Sequence, residues 1–312
     1  MTRGNLLRGL AWAGLCVLVW APLFSVAKRT LPNLDAFALG TVRYAVGIVL
    51  LVALLVAVEG RTALRFDGRL GRSTLFGLIG ITGFNLFVWI GLAFTRPEHA
   101  SIILALQTPL TALAVWLAGG QRPAAFTLGC VVLAIAGVFT VITNGDPARA
   151  FEDLVRSAHG RELLGDLLVF AGGLAWVTYT LAATQFPGWS PLRLTVLTCI
   201  PGAVGLVLAH AVAIAGGWAV LPSAAAIGSV GWQILYFSLG TVVLGVLAFN
   251  NAARHLGPLN TMLALNLIPV CVFGIEAALG RGFGPVELGG AALVIGALVA
   301  NNLYLRGTSA RR

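Results

Sequence analysis

The chain has 312 residues, of which 58% are hydrophobic and only 10% charged. A soluble domain carries about 25% charged residues, so this chain lacks the polar groups needed to cover a water-facing surface. Its formal net charge of +9 is spread between apolar runs rather than gathered on one face or tail, which argues against nucleic acid as a partner and suits charges that orient membrane spans.

A helix needs about 20 apolar residues to cross the hydrocarbon of a bilayer. In chain order such stretches are predicted at 9–27, 34–58, 73–95, 100–121, 123–145 and 167–191. The next run, 194–253, has no Asp, Glu, Lys or Arg and is long enough for two spans divided near Gly216, Gly217 and Pro222. Stretches 255–275 and 288–305 complete an all-α integral membrane protein of ten transmembrane helices. Arg3 and Arg8 precede the first run, which is too long for the apolar core of a signal peptide, so it reads as a span.

Lys and Arg in the connecting segments set the orientation. With the N-terminus inside, twelve basic residues fall in cytoplasmic segments and seven outside. Both termini are therefore expected on the cytoplasmic side of the cell's inner (plasma) membrane. The segment 144–166 is the one sizeable outer loop and mixes charges with Phe151, Leu154 and Val155, a pattern that suits a short interfacial helix.

A shift of 160 residues places Pro109 on Pro269, Gly120 on Gly280, and Leu128-Gly129 on Leu288-Gly289. A shift of 156 places Trp20 on Trp176. Each copy holds five spans, and an odd number makes the two copies cross in opposite senses, the inverted repeat of many secondary transporters. The division is 5–143 for the first repeat, 144–163 for an extracytoplasmic linker, 164–305 for the second repeat and 306–312 for a cytoplasmic tail.

Several motifs carry a family resemblance. The run Val19 to Lys28, VWAPLFSVAK, resembles the first helix of the drug/metabolite transporter superfamily in its EamA branch, with Ala21 where members often have glycine. Arg43-Tyr44 is similar to the Arg-Phe of the second helix. The runs 165–183, 267–280 and 287–299 resemble the start of the second repeat, the Pro-Val motif of the ninth helix and the last helix. Members often carry a Leu-Gly-Glu step after the fourth and ninth helices. Here Gly119-Gly120-Gln121 and Leu279-Gly280-Arg281 lack both acids, so no role of those glutamates carries over. The resemblance implies a solute exporter without implying a substrate.

Charge within a span is costly and so marks candidate function. Arg43 lies about nine residues into the second span, roughly 13 Å along at about 1.5 Å per residue. It reads either as a fixed cation facing a cavity and drawing an anionic group, or as a structural arginine. Glu276 is the carboxylate expected well inside an apolar stretch. It reads as a proton carrier or as the partner of Arg43 or Arg281. Pro109 and Pro269 fall in mid-span, where each frees a backbone carbonyl that protein or water must satisfy. Gln107 and Thr108 beside Pro109, Asn266 close to Pro269 and Asn85 in mid-span of the third helix are the next polar candidates, and Trp20 and Trp176 are expected to wall a cavity. Interhelical hydrogen bonds and packing are the plainer roles of these residues.

Cys16, Cys130, Cys199 and Cys271 lie in apolar stretches without CxxC spacing, and no metal or cofactor is implied. No HExxH, GxSxG or phosphate-loop motif is present, and no catalytic residue is assigned. The expected partners are a small-molecule solute and membrane lipid, and the sequence is compatible with a homodimer. A flippase of lipids or polyprenyl carriers, or a membrane protein without a transport role, is the alternative.

Overall fold

A computed structural model of the chain describes residues 3–117, 122–146, 160–182, 185–256, 261 and 264–309. Its described elements are helical throughout. The N-terminal pair α1 (Arg3–Trp20) and α2 (Leu23–Thr30) forms one bent span with a turn at Ala21-Pro22. Asp35 then caps α3 (Ala36–Glu59), its Oδ1 accepting the backbone N–H groups of Phe37 at 2.9 Å and Ala38 at 2.8 Å. Gly60, at φ 80° and ψ 170°, takes a positive-φ conformation open to glycine and ends it.

The next span, α4 (Leu70–Phe94), contains a π-helical stretch at Leu78–Gly83. Pro97 opens α5 (Pro97–Ala105), which breaks at Leu106 before α6 (Gln107–Leu117). Then come α7 (Ala125–Thr143), α8 (Gly160–Ala182) and α9 (Pro191–Ala215). The following helix, α10, joins Gly231–Leu235, a π-helical Tyr236–Leu244 and Gly245–Leu256. The last two are α11 (Leu267–Ala278) and α12 (Pro285–Ser309).

Eight helices among the described residues are long and apolar enough to cross a membrane, which makes this a multi-pass membrane protein. The expectation was ten spans, two of them carrying a proline in mid-span. The stretches 100–121 and 255–275 differ because each is interrupted: Leu106 has φ −64° and ψ −14°, and Asn266 has φ −65° and ψ −9°. Both breaks lie three residues before a proline, Pro109 and Pro269, whose missing N–H leaves the carbonyl a turn back without its helical partner. They are 160 residues apart, the spacing found in the sequence. The predicted span 167–191 also differs. Its helix begins at Gly160 and is over before Pro187, Gly188 and Pro191, because residues 187–190 form a connection. Most of the expected interfacial helix, as well as Gly119, Gly120 and Gln121, lies outside the described residues.

Lipid tails are as apolar as the helices, so packing rests on close approach and interhelical hydrogen bonds. At the crossing of α4 and α8, Gly91 faces Gly165, and a Cβ on either would lie 2.6 Å from the other's carbonyl oxygen. The connections gather at two ends of the bundle. At one, Arg193 Nη2 meets Asp67 Oδ2 at 2.7 Å, and Ser190 Oγ donates to Glu59 at 2.5 Å. The other carries the ends of α2, α4 and α11 and the starts of α5, α8 and α12.

Candidate functional site

Three helices bring a buried cation and aromatic rings together inside the bundle. Arg43 and Tyr44 stand on α3, Trp89 on α4 and Phe237 on the π-helical part of α10. The guanidinium carbon of Arg43 is 5.2 Å from the ring centroid of Tyr44, 5.1 Å from that of Trp89 and 5.9 Å from that of Phe237. All four side chains are buried, Arg43 to 6% residual exposure. Its Nε and Nη1 have no hydrogen-bond partner, and no carboxylate pairs with it among the described residues. Aromatic faces attract a cation, but they accept few of its five N–H donors. A charge held this way has spare capacity for an anion.

Asn85, fully buried on α4, belongs to this site through Trp89. Its Nδ2 donates to the Ile81 carbonyl at 2.6 Å, and its Oδ1 accepts the Trp89 indole N–H at 2.9 Å. It thereby sets the rotamer of the ring beside Arg43. It also bonds the Tyr44 side chain of α3, so it ties the two helices that hold Arg43 and Trp89, in keeping with the interhelical role expected of it.

Glu276 is not where the sequence led us to look. It pairs with neither Arg43 nor Arg281. Arg29, at the end of α2, holds it in a two-pronged contact, Nη1 to Oε1 at 3.2 Å and Nη2 to Oε2 at 3.3 Å. Sequence spacing could not reveal this, since the partners are 247 residues apart.

Gln107 and Asn266 sit at the two matching helix breaks, and neither side chain bonds to Arg43. Asn266 is buried with its Nδ2 unpartnered, and Gln107 is half-buried beside Gly173. Trp20 and Trp176 act in packing. The indole N–H of Trp20 donates to the Thr241 carbonyl in α10 at 3.0 Å, and its ring stacks on Phe249. Trp176 packs on Phe84 of α4 and on Tyr179. Each thus leans on the π-containing helix of the other half. Lys28, from the family-like first-helix motif, donates to the carbonyls of Leu92, Ala93 and Thr95 and so caps the end of α4.

A second cluster was not legible as a site. At the end of the bundle near Glu276, Glu98 and His99 open α5, and both are buried, Glu98 completely. His99 Nδ1 lies 3.2 Å from Asp166 Oδ2, and the Thr95 hydroxyl donates to Asp166 Oδ1. Arg96 Nε meets Glu162 at 2.6 Å, and Arg281 bridges Glu98 and Glu287. Burial works against a charged His99 ring, but the Asp166 hydrogen bond and the charges of Asp166 and Glu162 outweigh it and lift its pKa above the ordinary histidine value. Burial also raises the Glu98 carboxyl, against a bond from its own backbone and the charge of Arg281. The expected spans began at the first charge-free residue, 100 and 167, so these groups read as loop charges. Pro97, a natural first helical residue, was the available sign that the helix starts earlier.

A multi-pass helical bundle with a buried cation in one span is the kind of setting in which membrane transport proteins place their sites. The chain belongs to the EamA-like transporter family, whose model matches residues 7–143 and 163–303. It is 28% identical over 309 residues to the uncharacterized transporter YrdR of Bacillus subtilis, covering 98% of this chain and 94% of the relative. It is also 28% identical over 282 residues to the uncharacterized transporter YyaM of the same organism, covering 90% of this chain and 89% of that one. A chain of known crystal structure, 19% identical, shares the fold with a TM-score of 0.65 over 98% of this chain and 99% of its own.

Proposed function

We propose that the protein is a secondary transporter that exports a small anionic solute, and that a carboxylate of that solute seats on Arg43. The observation that carries this is the guanidinium of Arg43, buried among Tyr44, Trp89 and Phe237 with two donor nitrogens unpartnered. An unpaired buried charge is costly, and a ligand that neutralises it recovers that cost on binding.

The architecture in this proposal is two inverted five-span repeats that rock about the site to expose it alternately. The breaks at Leu106 and Asn266, the π-helical stretches at Leu78–Gly83 and Tyr236–Leu244, and the exchanged packing of Trp20 and Trp176 support it. The excess of basic residues in segments assigned to the cytoplasm supports both termini there, in the plasma membrane. Lipid flipping has less support. The groove of about 560 Å³ between α7 and α12 is apolar throughout, lined by residues such as Phe126, Leu133 and Leu293, and offers nothing to hold a headgroup.

The test is transport by the purified chain in liposomes, using a panel of labelled amino and organic acids beside neutral and cationic analogues. Saturable flux of a carboxylate is expected. Arg43→Ala should lower its kcat/KM by about 10²-fold or more, since truncating one member of a buried charge pair costs about 2–5 kcal/mol. Arg43→Lys should recover part of the loss, because an ammonium keeps the charge without the planar fork. Undiminished carboxylate transport by Arg43→Ala, or saturable flux of cations alone, overturns the assignment.

A further inference from the structure

We propose that His99 binds an exchangeable proton, and that this proton holds shut the end of the bundle where it lies. The proposal rests on the transporter reading for its use of an opening end, and on its own observations for the proton.

Carboxylate oxygens face both nitrogens of the buried ring. Nδ1 is 3.2 Å from Asp166 Oδ2 and 3.8 Å from Glu162 Oε1, while Nε2 is 3.9 Å from Glu287 Oε1. A neutral imidazole has one N–H and one lone pair, so one side of a neutral ring would turn its lone pair toward a carboxylate. Only the imidazolium suits both sides. Arg96, the residue that leads into the same helix, faces the same acids, meeting Glu162 at 2.6 Å and Glu287 at 4.0 Å. Arg281 takes a further share of Glu287 and touches Glu98. The fixed charges of this cluster are four cations (Lys28, Arg29, Arg96 and Arg281) against five carboxylates (Glu98, Glu162, Asp166, Glu276 and Glu287). One added proton balances the described cluster; the buried Glu98 carboxyl, which Arg281 touches, competes for it, and the carboxylates facing both ring nitrogens assign it to His99.

The position gives that proton a mechanical consequence. His99 belongs to α5, while Asp166 and Glu162 belong to α8 and Glu287 to α12. Each of the three carboxylates within 4 Å of the ring therefore comes from the other half of the chain, while Glu98, whose charge also favours the imidazolium, stays with α5. Parting the halves at this end strips the ring of these partners and exposes it to water, where its affinity for a proton falls to that of an ordinary histidine, pKa about 6.5. Because the closed form binds the proton more tightly, closure is favoured in full below the open-form pKa. The advantage is lost as pH rises through the higher closed-form pKa. Each pKa unit between the two forms changes the closed-to-open ratio tenfold.

The experiment needs no solute. Full-length protein carrying isotope-labelled histidine is placed in lipid nanodiscs, and the imidazole resonances are titrated between pH 5 and 9. The expected result is one imidazole that stays doubly protonated above the ordinary histidine range. It should disappear in His99→Gln and titrate at lower pH in Asp166→Asn, which keeps the hydrogen bond but removes the charge. Amide exchange over residues 94–100, corrected for its intrinsic pH dependence, should rise at least tenfold as the wild type passes that pKa, with no such step in His99→Gln. A His99 that is neutral at pH 7, or a step that survives in both variants, overturns the proposal. Should His99→Gln not fold, Asp166→Asn alone still decides, since an unchanged His99 titration would refute it. Arg43→Ala is expected to leave the titration intact, so failure here and failure of the Arg43 assignment are separate results.

Discussion

The indole of Trp89 joins two buried polar residues that do not touch each other: its N–H donates to Asn85 Oδ1 at 2.9 Å, and its ring centroid lies 5.1 Å from the guanidinium of Arg43. The position of the cation is thus tied, through one aromatic ring, to an amide one helical turn away.

Asn85→Leu removes the acceptor and leaves the Trp89 N–H buried without a partner. Losing that bond costs about 1–3 kcal/mol. The expected outcome is a shifted tryptophan emission and a rise of about 5- to 100-fold in the KM of the transported anion, with a smaller change in kcat. Asn85→Asp keeps an acceptor and should restore the emission. An unchanged spectrum and KM in Asn85→Leu would show that Trp89 holds its place without Asn85.

Glu276→Gln separates the earlier expectation from the observed contact. Arg29 is about half-exposed, with 47% of its side-chain surface accessible, so the pair contributes only about 0–1 kcal/mol after solvent screening. The variant should fold, transport, and keep the wild-type pH profile. A flattened pH profile in Glu276→Gln, measured beside His99→Gln, would return the proton to Glu276.

Gly91→Ala tests the close approach of α4 and α8. The added methyl meets the backbone oxygen of Gly165, which has no rotamer to escape into, and overpacking of this kind costs about 1–3 kcal/mol. The detergent-solubilised variant should unfold several degrees lower. Gly129→Ala is the control. No atom lies within 4 Å of its added Cβ on the lipid-facing side of α7, and relief of helical glycine should stabilise by about 0.5–1 kcal/mol. Equal melting temperatures for the two variants would show that the Gly91–Gly165 contact does not limit packing.

Much of the architecture was legible because lipid imposes one rule on every span. A charge-free run of sufficient length has to be a helix, and a charge or proline inside one stands out. Arg43, Pro109 and Pro269 were visible on that basis, and both prolines sit three residues after a helix break. Glu98, His99 and Asp166 were not visible because they lie just ahead of apolar runs, where charge costs little. Whether such a group ends in water or in protein depends on what packs over it.

The sequence by itself determined that this is a multi-pass helical membrane protein of the EamA-like kind, with a cation inside its second span. It could do so because hydropathy, helix breakers and local motifs act within about 20 residues of chain. Only the tertiary structure decided that Arg43 faces aromatic rings rather than Glu276, that Arg29 takes Glu276, and that His99 meets Asp166. The Arg29–Glu276 and His99–Asp166 contacts join residues 247 and 67 positions apart, and no local pattern sets which of several like-charged groups two packed helices bring together.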